Sequence, residues 1–180
     1  MMTADQAREL WASSEEIVSA QEVQDSLDRM ASEITDKMGN DFPLVLSVMG
    51  GAVVFTGMLL PKLQFPLDFD YIHLSRYNNK TVGGEMQWRV APRESVKDRV
   101  VLVLDDILDE GETMAAIRQR IMDMGAKEFH AAVLCEKTLT KLKPMHPDFC
   151  GFKVPDRYVF GCGMDVKGYW RNLGAIRALV

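Results

Sequence analysis

Cysteine is scarce in this sequence of 180 residues, which contains only Cys135, Cys150 and Cys162. The number is odd, and no two of them form a Cys-x-x-Cys pair. A disulfide framework requires paired cysteines and a structural zinc site requires closely spaced ligands, so the sequence indicates neither. Free thiols are typical of a reducing compartment.

Long hydrophobic runs are also lacking. None approaches the roughly 20 apolar residues of a membrane-spanning helix. The start of the chain, MMTADQARELWASSEE, has neither the basic region nor the apolar core of a secretory signal. We therefore expect a cytoplasmic protein that has no membrane partner.

Linkers, repeats and an excess of positive charge are absent as well. Lysine and arginine total 21 against 26 aspartates and glutamates, a formal net charge of -5, which argues against a nucleic-acid partner. No segment rich in proline, serine or glycine divides the chain. We expect a single domain over residues 1–180 that binds a small molecule.

Hydrophobic periodicity predicts alternating strands and helices. Apolar residues recur three or four positions apart in residues 21–38 and 112–124, as in amphipathic helices, and a third segment of helical length follows a glycine pair at 52–63. Short apolar runs predict strands at residues 42–49, 67–74, 99–107, 129–137 and 157–165. Such alternation predicts an α/β fold with a mostly parallel central sheet flanked by helices.

Glycines and charged residues lie at the ends of several predicted strands. Ligands of parallel α/β sheets bind beyond the carboxyl ends of the strands. One mouth is therefore expected to gather the following residues: Gly50, Gly51, Asp105, Asp106, Lys137 and Asp165.

The stretch VLVLDDILDEGETMAAI, residues 101–117, is the most informative motif. The carboxylates of Asp105 and Asp106 suit the vicinal hydroxyls of a ribose or a hydrated magnesium ion. The turn DEGET leads into a helix, and its backbone N–H groups form a nest for an anion. Such a site fits a sugar phosphate; the alternative is that the acidic residues only cap a helix in a solvated loop.

VLVLDDILDEGETM resembles the phosphoribosyl pyrophosphate (PRPP) signature of the type I phosphoribosyltransferases. SVMGG, EKT and PDFCGFKVPDRYVFGCGMDVKGYWRNL resemble, in the same order, other site segments of hypoxanthine-guanine phosphoribosyltransferases, so the resemblance spans about residues 43–173. It implies the type I fold, with a small hood formed by the chain termini. It also implies Mg2+-dependent transfer of phosphoribosyl from PRPP to hypoxanthine or guanine, giving IMP or GMP and pyrophosphate, by a homodimer or homotetramer.

The resemblance also assigns contacts with PRPP. It gives the ribose and its magnesium to Asp105 and Asp106, the 5′-phosphate to the turn of Asp109, Glu110, Gly111, Glu112 and Thr113, and pyrophosphate to Gly50, Gly51 and Arg171. Asp165 matches a further aspartate on the magnesium side. A turn-forming aspartate near a glycine is the alternative interpretation of that residue.

The purine contacts implied by the resemblance involve Asp109, Lys137, Tyr158 and Val159. Asp109 matches the general base toward N7, Tyr158 the aromatic that stacks on the base, and Val159 a main-chain contact at the C2 edge. Lys137 matches the donor to the 6-oxo group. Because a lysine donates hydrogen bonds and never accepts them, a 6-oxopurine is preferred over adenine.

Some positions depart from the family pattern. Met49 replaces a lysine that often precedes the glycine pair, and Glu110 replaces a threonine that would donate to phosphate. Arg76 and Tyr77 stand where the flexible loop usually carries a Ser-Tyr pair. Residues 78–87 are interpreted as a lid over the site, with an ordinary mobile loop as the alternative.

Two other functions share some of these features. A non-catalytic PRPP sensor would need an output surface or a DNA-binding domain, and the acidic sequence suggests neither. A phosphorylatable receiver domain gathers acids at strand ends, but its acidic pair ends the first strand, whereas about a hundred residues precede Asp105.

Overall fold

The structure is a computed structural model that describes residues 2–76, 86–92 and 96–180, without the side chains of Arg76 and Met86. The Arg76 side chain and Tyr77, which were assigned to the flexible loop, lie outside the described part of the structure, as does most of the predicted lid. Its last two residues, 86 and 87, belong to a strand.

The chain alternates strands and helices as the periodicity predicts. In order, the elements are α1 (Ala4–Ala12), β1 (Glu15–Val18), α2 (Ala20–Met38), β2 (Leu44–Val48), α3 (Val53–Leu59), β3 (Asp68–Arg76), β4 (Met86–Val90), β5 (Val100–Leu108), α4 (Glu112–Asp123), β6 (Glu128–Lys137), β7 (Phe149–Val154), β8 (Val159–Phe160) and β9 (Ile176–Ala178). A single 3-10 turn, Leu60–Lys62, extends α3.

Among the residues that the structure describes, six strands form the central sheet, in the order β4-β3-β2-β5-β6-β7. Neighbouring strands are parallel except for the antiparallel pair β3–β4. Helices α2 and α3 pack on one face and α4 on the other, so all five residues of β2 are buried. The predicted α/β fold with a mostly parallel sheet is confirmed.

Helix α2 shows how local sequence signals and burial agree. Ser19 and Glu22 form a capping box, in which Ser19 Oγ accepts from the Glu22 backbone N–H and the Glu22 carboxylate accepts from the Ser19 N–H. The buried face carries the residues that set the predicted period: Val23, Leu27, Met30, Ile34 and Met38. Among the described residues, no helix has both the length and the apolar character needed to cross a bilayer.

A smaller antiparallel sheet, in the order β1-β9-β8, joins the two ends of the chain and forms the predicted hood. Helix α1 is held against it by Trp170, whose indole N–H donates to the Ala7 carbonyl at 2.8 Å. Elements α1, β1, β4, β7 and β9 were not predicted from the sequence. The strand predicted at 157–165 shortens to β8, because residues 161–164 form a turn closed by a bridge between Gly161 and Met164.

Candidate active site

The carboxyl ends of β5 and β6 carry the main part of the site. These strands are parallel and in register, with Leu108 opposite Glu136. Asp109, which directly follows β5, and Lys137, the last residue of β6, therefore emerge at the same edge of the sheet. A cleft at this edge is lined by Asp106, Ile107, Asp109, Lys137, Tyr158, Val159, Met164 and Asp165.

The acidic pair occupies the floor of the site. Asp105 Oδ1 accepts from the Asp106 backbone N–H at 3.0 Å, and Asp106 Oδ1 accepts from Ile107 N–H at 2.8 Å. Burial and the neighbouring carboxylate raise the pKa of Asp105 well above its usual range. Burial also raises the pKa of Asp106, although its hydrogen bonds and the Arg171 charge oppose this rise. A cation or a hydroxyl donor would relieve the buried negative charge.

Magnesium is compatible with this donor set. Within residues 2–76, 86–92 and 96–180, no group of three or more His, Cys, Asp or Glu side chains forms a complete metal cage. Mg2+ usually takes only one or two protein carboxylates and completes its shell with water and substrate phosphate. Asp105 and Asp106 meet that requirement, because they supply two carboxylates at one strand end, and a cation beside them would offset the cost of burying their negative charge.

The turn after β5 forms a second pocket, lined in part by Asp105, Asp109, Glu110, Gly111 and Thr113. Gly111 has φ +82° and precedes the first residue of α4, and a Cβ there would lie 3.2 Å from the Met145 carbonyl oxygen. The start of α4 presents backbone N–H groups and the positive end of a helix dipole. Glu110 pairs with Lys141, which lies outside this pocket's lining. The donors that this pocket offers to an anion are therefore the backbone N–H groups at the start of α4.

The glycine pair after β2 lies against the acidic floor. A Cβ on Gly51 would fall 2.1 Å from Asp106 Oδ2, closer than any real side chain contact. Because of this short distance, residue 51 must be glycine for the turn to approach Asp106 so closely. The peptide between Met49 and Gly50 is cis, and the Met49 N–H donates to the Ile72 carbonyl at 2.8 Å.

Lys137 and Asp109 meet in the cleft. The Lys137 ammonium donates to Asp109 Oδ2 at 2.9 Å and lies 3.9 Å from Asp156 Oδ1. Tyr158 lines the same cleft with 52% of its surface exposed, so it is not a core aromatic. Its carbonyl accepts from Leu179 N–H at 2.9 Å, which ties this side of the cleft to the hood.

Asp165 lines the cleft and forms an ion pair with Arg171. Arg171 Nη2 lies 2.5 Å from Asp165 Oδ1, and its Nη1 donates to the Gly163 carbonyl at 2.6 Å. Asp165 Oδ2 accepts from Gly168 N–H at 2.6 Å. Asp165 thus lies in the predicted mouth and also stabilises a turn, as the alternative interpretation expected.

Comparison with known proteins identifies the family of this chain. The profile of a family described as "Phosphoribosyl transferase domain" matches residues 13–167. The chain belongs to this family. The resemblance inferred from the sequence is therefore confirmed.

Individual phosphoribosyltransferases are similar over most of the chain. The hypoxanthine-guanine phosphoribosyltransferase of Bacillus subtilis (strain 168) is 31% identical over 164 residues, which cover 91% of each chain. The hypoxanthine-guanine-xanthine enzyme of Tritrichomonas foetus is 32% identical over 88% of this chain and 87% of its own. A solved hypoxanthine-guanine-xanthine phosphoribosyltransferase superposes with a TM-score of 0.83 at 29% identity, over 92% of this chain and 96% of that one.

Gly163 is a site residue of this phosphoribosyltransferase that the sequence analysis missed. It has φ +105°, and a Cβ there would lie 2.0 Å from the Gly51 carbonyl oxygen. Gly163 therefore lets the hood contact the glycine turn, while its own carbonyl accepts from Arg171. The pattern GCGMD, with glycines two apart beside Asp165, is the signal that could have revealed this close approach.

Proposed function

We propose that this phosphoribosyltransferase transfers the 5-phosphoribosyl group from PRPP to hypoxanthine or guanine, giving IMP or GMP and pyrophosphate. The observation that carries the proposal is the 2.9 Å approach of the Lys137 ammonium to the Asp109 carboxylate, beside the exposed ring of Tyr158. The names of the similar enzymes from Bacillus subtilis and Tritrichomonas foetus support it.

The Lys137–Asp109 pair matches one edge of a 6-oxopurine. At that edge O6 accepts a hydrogen bond, and N7 carries a proton in the N7–H tautomer. Lys137 would donate to O6 while Asp109 accepts from N7–H. Adenine presents a 6-amino group instead, and a lysine has no acceptor to offer it. Tyr158 would stack on the face of the base, and Val159 would contact the C2 edge through its main chain.

The reaction displaces pyrophosphate from C1 of the ribose. The bond from C1 to the pyrophosphate oxygen breaks, its electron pair leaves with pyrophosphate, and N9 of the purine bonds to C1 through a transition state with oxocarbenium character, as in glycoside cleavage. Asp109 receives the N7 proton as N9 becomes the nucleophile. The backbone of residues 110–113 would hold the 5′-phosphate, while Gly51 and Arg171 would face pyrophosphate.

Asp105 and Asp106 would hold Mg2+ together with the ribose hydroxyls. When bound, the ion neutralises negative charge that accumulates on the leaving pyrophosphate. The predicted contact of Asp165 with magnesium stays a prediction, since both of its oxygens already have partners in Arg171 and Gly168. Burial raises the pKa of Asp106, and the Arg171 charge opposes only part of that rise.

Other parts of the proposal rest on the sequence and on the family. We propose that residues 1–180 act as one catalytic domain, located in the cytoplasm, without a nucleic-acid or membrane partner. Homodimers or homotetramers are proposed by family resemblance.

Nucleotide formation from four bases tests the proposal. Purified protein is incubated with PRPP, Mg2+ and hypoxanthine, guanine, xanthine or adenine, and a reaction without PRPP is the control. We expect IMP and GMP, with adenine slower by about a hundredfold or more, because a site built around a donor rejects a partner that cannot accept. Equal rates with adenine would contradict the base assignment. No turnover with any purine, combined with PRPP binding, would favour the sensor instead.

A further inference from the structure

Lys143 is a buried lysine in the loop 138–148, between β6 and β7. Only 4% of its side chain is exposed, although lysines are rarely buried unless they are paired. Neither the sequence motifs nor the family resemblance gives this residue a role.

The Lys143 ammonium contacts both strands that carry the purine site. It donates to the Lys137 carbonyl at 2.5 Å, at the last residue of β6, and to the Leu108 carbonyl at 3.3 Å, at the last residue of β5. Its third partner is Glu136 Oε1, at 3.5 Å. An ammonium group has three N–H donors, so all of them have an acceptor here.

Glu136 supplies the charge that balances the buried ammonium. Its side chain is 8% exposed, and Oε1 also lies 2.6 Å from His146 Nδ1. Removing Lys143 would leave a buried carboxylate with one partner fewer, and such a loss is costly. The loop is therefore tied to the strand ends by a cation and a carboxylate that depend on each other.

The position of these contacts matters for the purine site. Leu108 directly precedes Asp109, and the other carbonyl belongs to Lys137 itself. One cation thus joins the two backbone positions from which the proposed base and the proposed 6-oxo donor project. Because only 4% of the Lys143 side chain is exposed, solvent screens its ammonium less than it would screen the ammonium of an exposed lysine.

We propose that Lys143 is a positioning residue, which sets the distance between Asp109 and Lys137 and thereby the fit of the purine edge. The inference rests on the proposed function, since it assigns no new substrate. Lys143 does not line the cleft of the purine site. It acts through the two strand ends. Displacement of a reacting group by about 1 Å can reduce a rate by about a hundredfold.

Steady-state kinetics of three variants tests this role. Lys143→Met keeps the length of the side chain and removes the charge, Lys143→Arg keeps donors to the carbonyls, and Lys127→Met is the control at an exposed lysine before β6. In Lys143→Met we expect the KM for hypoxanthine and for guanine to rise about tenfold or more, and the preference for 6-oxopurines over adenine to fall. The KM for PRPP should change about twofold or less. Lys143→Arg should recover at least half of the lost preference.

Several outcomes would overturn the proposal. Parallel increases in the KM for purine and for PRPP, accompanied by a lower Tm and an unchanged base preference, would make Lys143 a structural residue only. Unchanged kinetics would also contradict it. If Lys143→Met does not fold, Lys143→Gln takes its place with the same criteria. The wild type is assayed first, because its failure to use any purine contradicts the proposed function rather than the role of Lys143.

Discussion

The Lys137 ammonium and the Asp109 carboxylate lie 2.9 Å apart, although 28 positions separate them in the sequence. The lysine side chain is 14% exposed and the aspartate 50% exposed, so the pair is only partly shielded from water and contributes little stability by itself. The pair matters for function because of where it places a donor and an acceptor. A 6-oxopurine that carries N7–H can enter between the two groups and satisfy both, whereas adenine cannot satisfy the lysine.

Replacing the proposed general base tests the proton-transfer step. In Asp109→Asn the amide oxygen still accepts from Lys137, but the side chain no longer takes up the N7 proton. We expect turnover with either 6-oxopurine to fall about a hundredfold to ten-thousandfold, while PRPP affinity and Tm stay near those of the wild type. Steady-state rates, equilibrium PRPP binding and thermal melting provide the comparison.

Asp156→Asn is the matched control, because Asp156 Oδ1 lies 3.9 Å from the same ammonium and its side chain is 69% exposed. It should retain most activity. If Asp109→Asn keeps wild-type turnover, or loses PRPP binding in parallel with it, the base must be sought elsewhere.

Base selectivity should depend on Lys137. In Lys137→Gln the amide can turn either its donor or its acceptor toward the 6-position, so the rate falls and the ratio of hypoxanthine to adenine activity falls as well. The measurement is kcat/KM for both bases, with Lys127→Gln at an exposed position as the control. An unchanged ratio would show that Lys137 does not recognise the 6-substituent.

Adding one methyl group at Gly51 should disturb the acidic floor. The new Cβ would lie 2.1 Å from Asp106 Oδ2, so Gly51→Ala must displace the turn or the carboxylate. We expect a loss of about 1–3 kcal/mol in stability, as for overpacked sites, and weaker PRPP binding. Gly57→Ala in α3 is the control, since a Cβ there meets nothing within 4 Å. Equal PRPP affinity in both variants would contradict the close approach of the glycine turn.

His130 predicts a pH-dependent contribution to stability away from the site. Its Nδ1 lies 3.4 Å from Asp148 Oδ1 and its Nε2 3.2 Å from Glu128 Oε2. The Asp148 carboxylate raises the pKa of His130 against the effect of burial, and Glu128 adds to the rise. A raised pKa means that the stabilisation is fully present below the unfolded pKa of about 6.5 and is lost as the pH rises through the folded pKa.

The variant His130→Gln should therefore lower Tm more at about pH 5.5 than at about pH 8.5, on either side of the ordinary histidine pKa. The difference should be a few degrees, as expected for about 1 kcal/mol. Thermal melting at both pH values measures it. The same loss at both values would mean that packing, and not charge, is the contribution of His130.

Much of the architecture was already present in local sequence patterns. The apolar runs that became β2, β5 and β6 were predicted because strands buried on both faces need continuous hydrophobic residues. The period of Val23, Leu27, Met30 and Ile34 predicted α2 because one helical face must be buried. The acidic strand end at Asp105 and Asp106, followed by a glycine turn, indicates a sugar phosphate site from local sequence alone.

Other features depend on partners that are distant in the sequence. The short strands β1 and β9 form because they pair with each other across the two ends of the chain, and neither has enough apolar residues to signal a strand alone. Asp109 meets Lys137 because of the register of β5 and β6. Gly163 approaches Gly51, and Lys143 reaches two strand ends, only after the sheet and hood have assembled. Local sequence patterns thus predicted the helices α2, α3 and α4, the strands β2, β3, β5 and β6, and the chemistry of the motifs, because these depend on neighbouring residues. The distances between these elements depend on strand register and packing, which are set by contacts across the whole fold and so cannot be inferred from neighbouring residues.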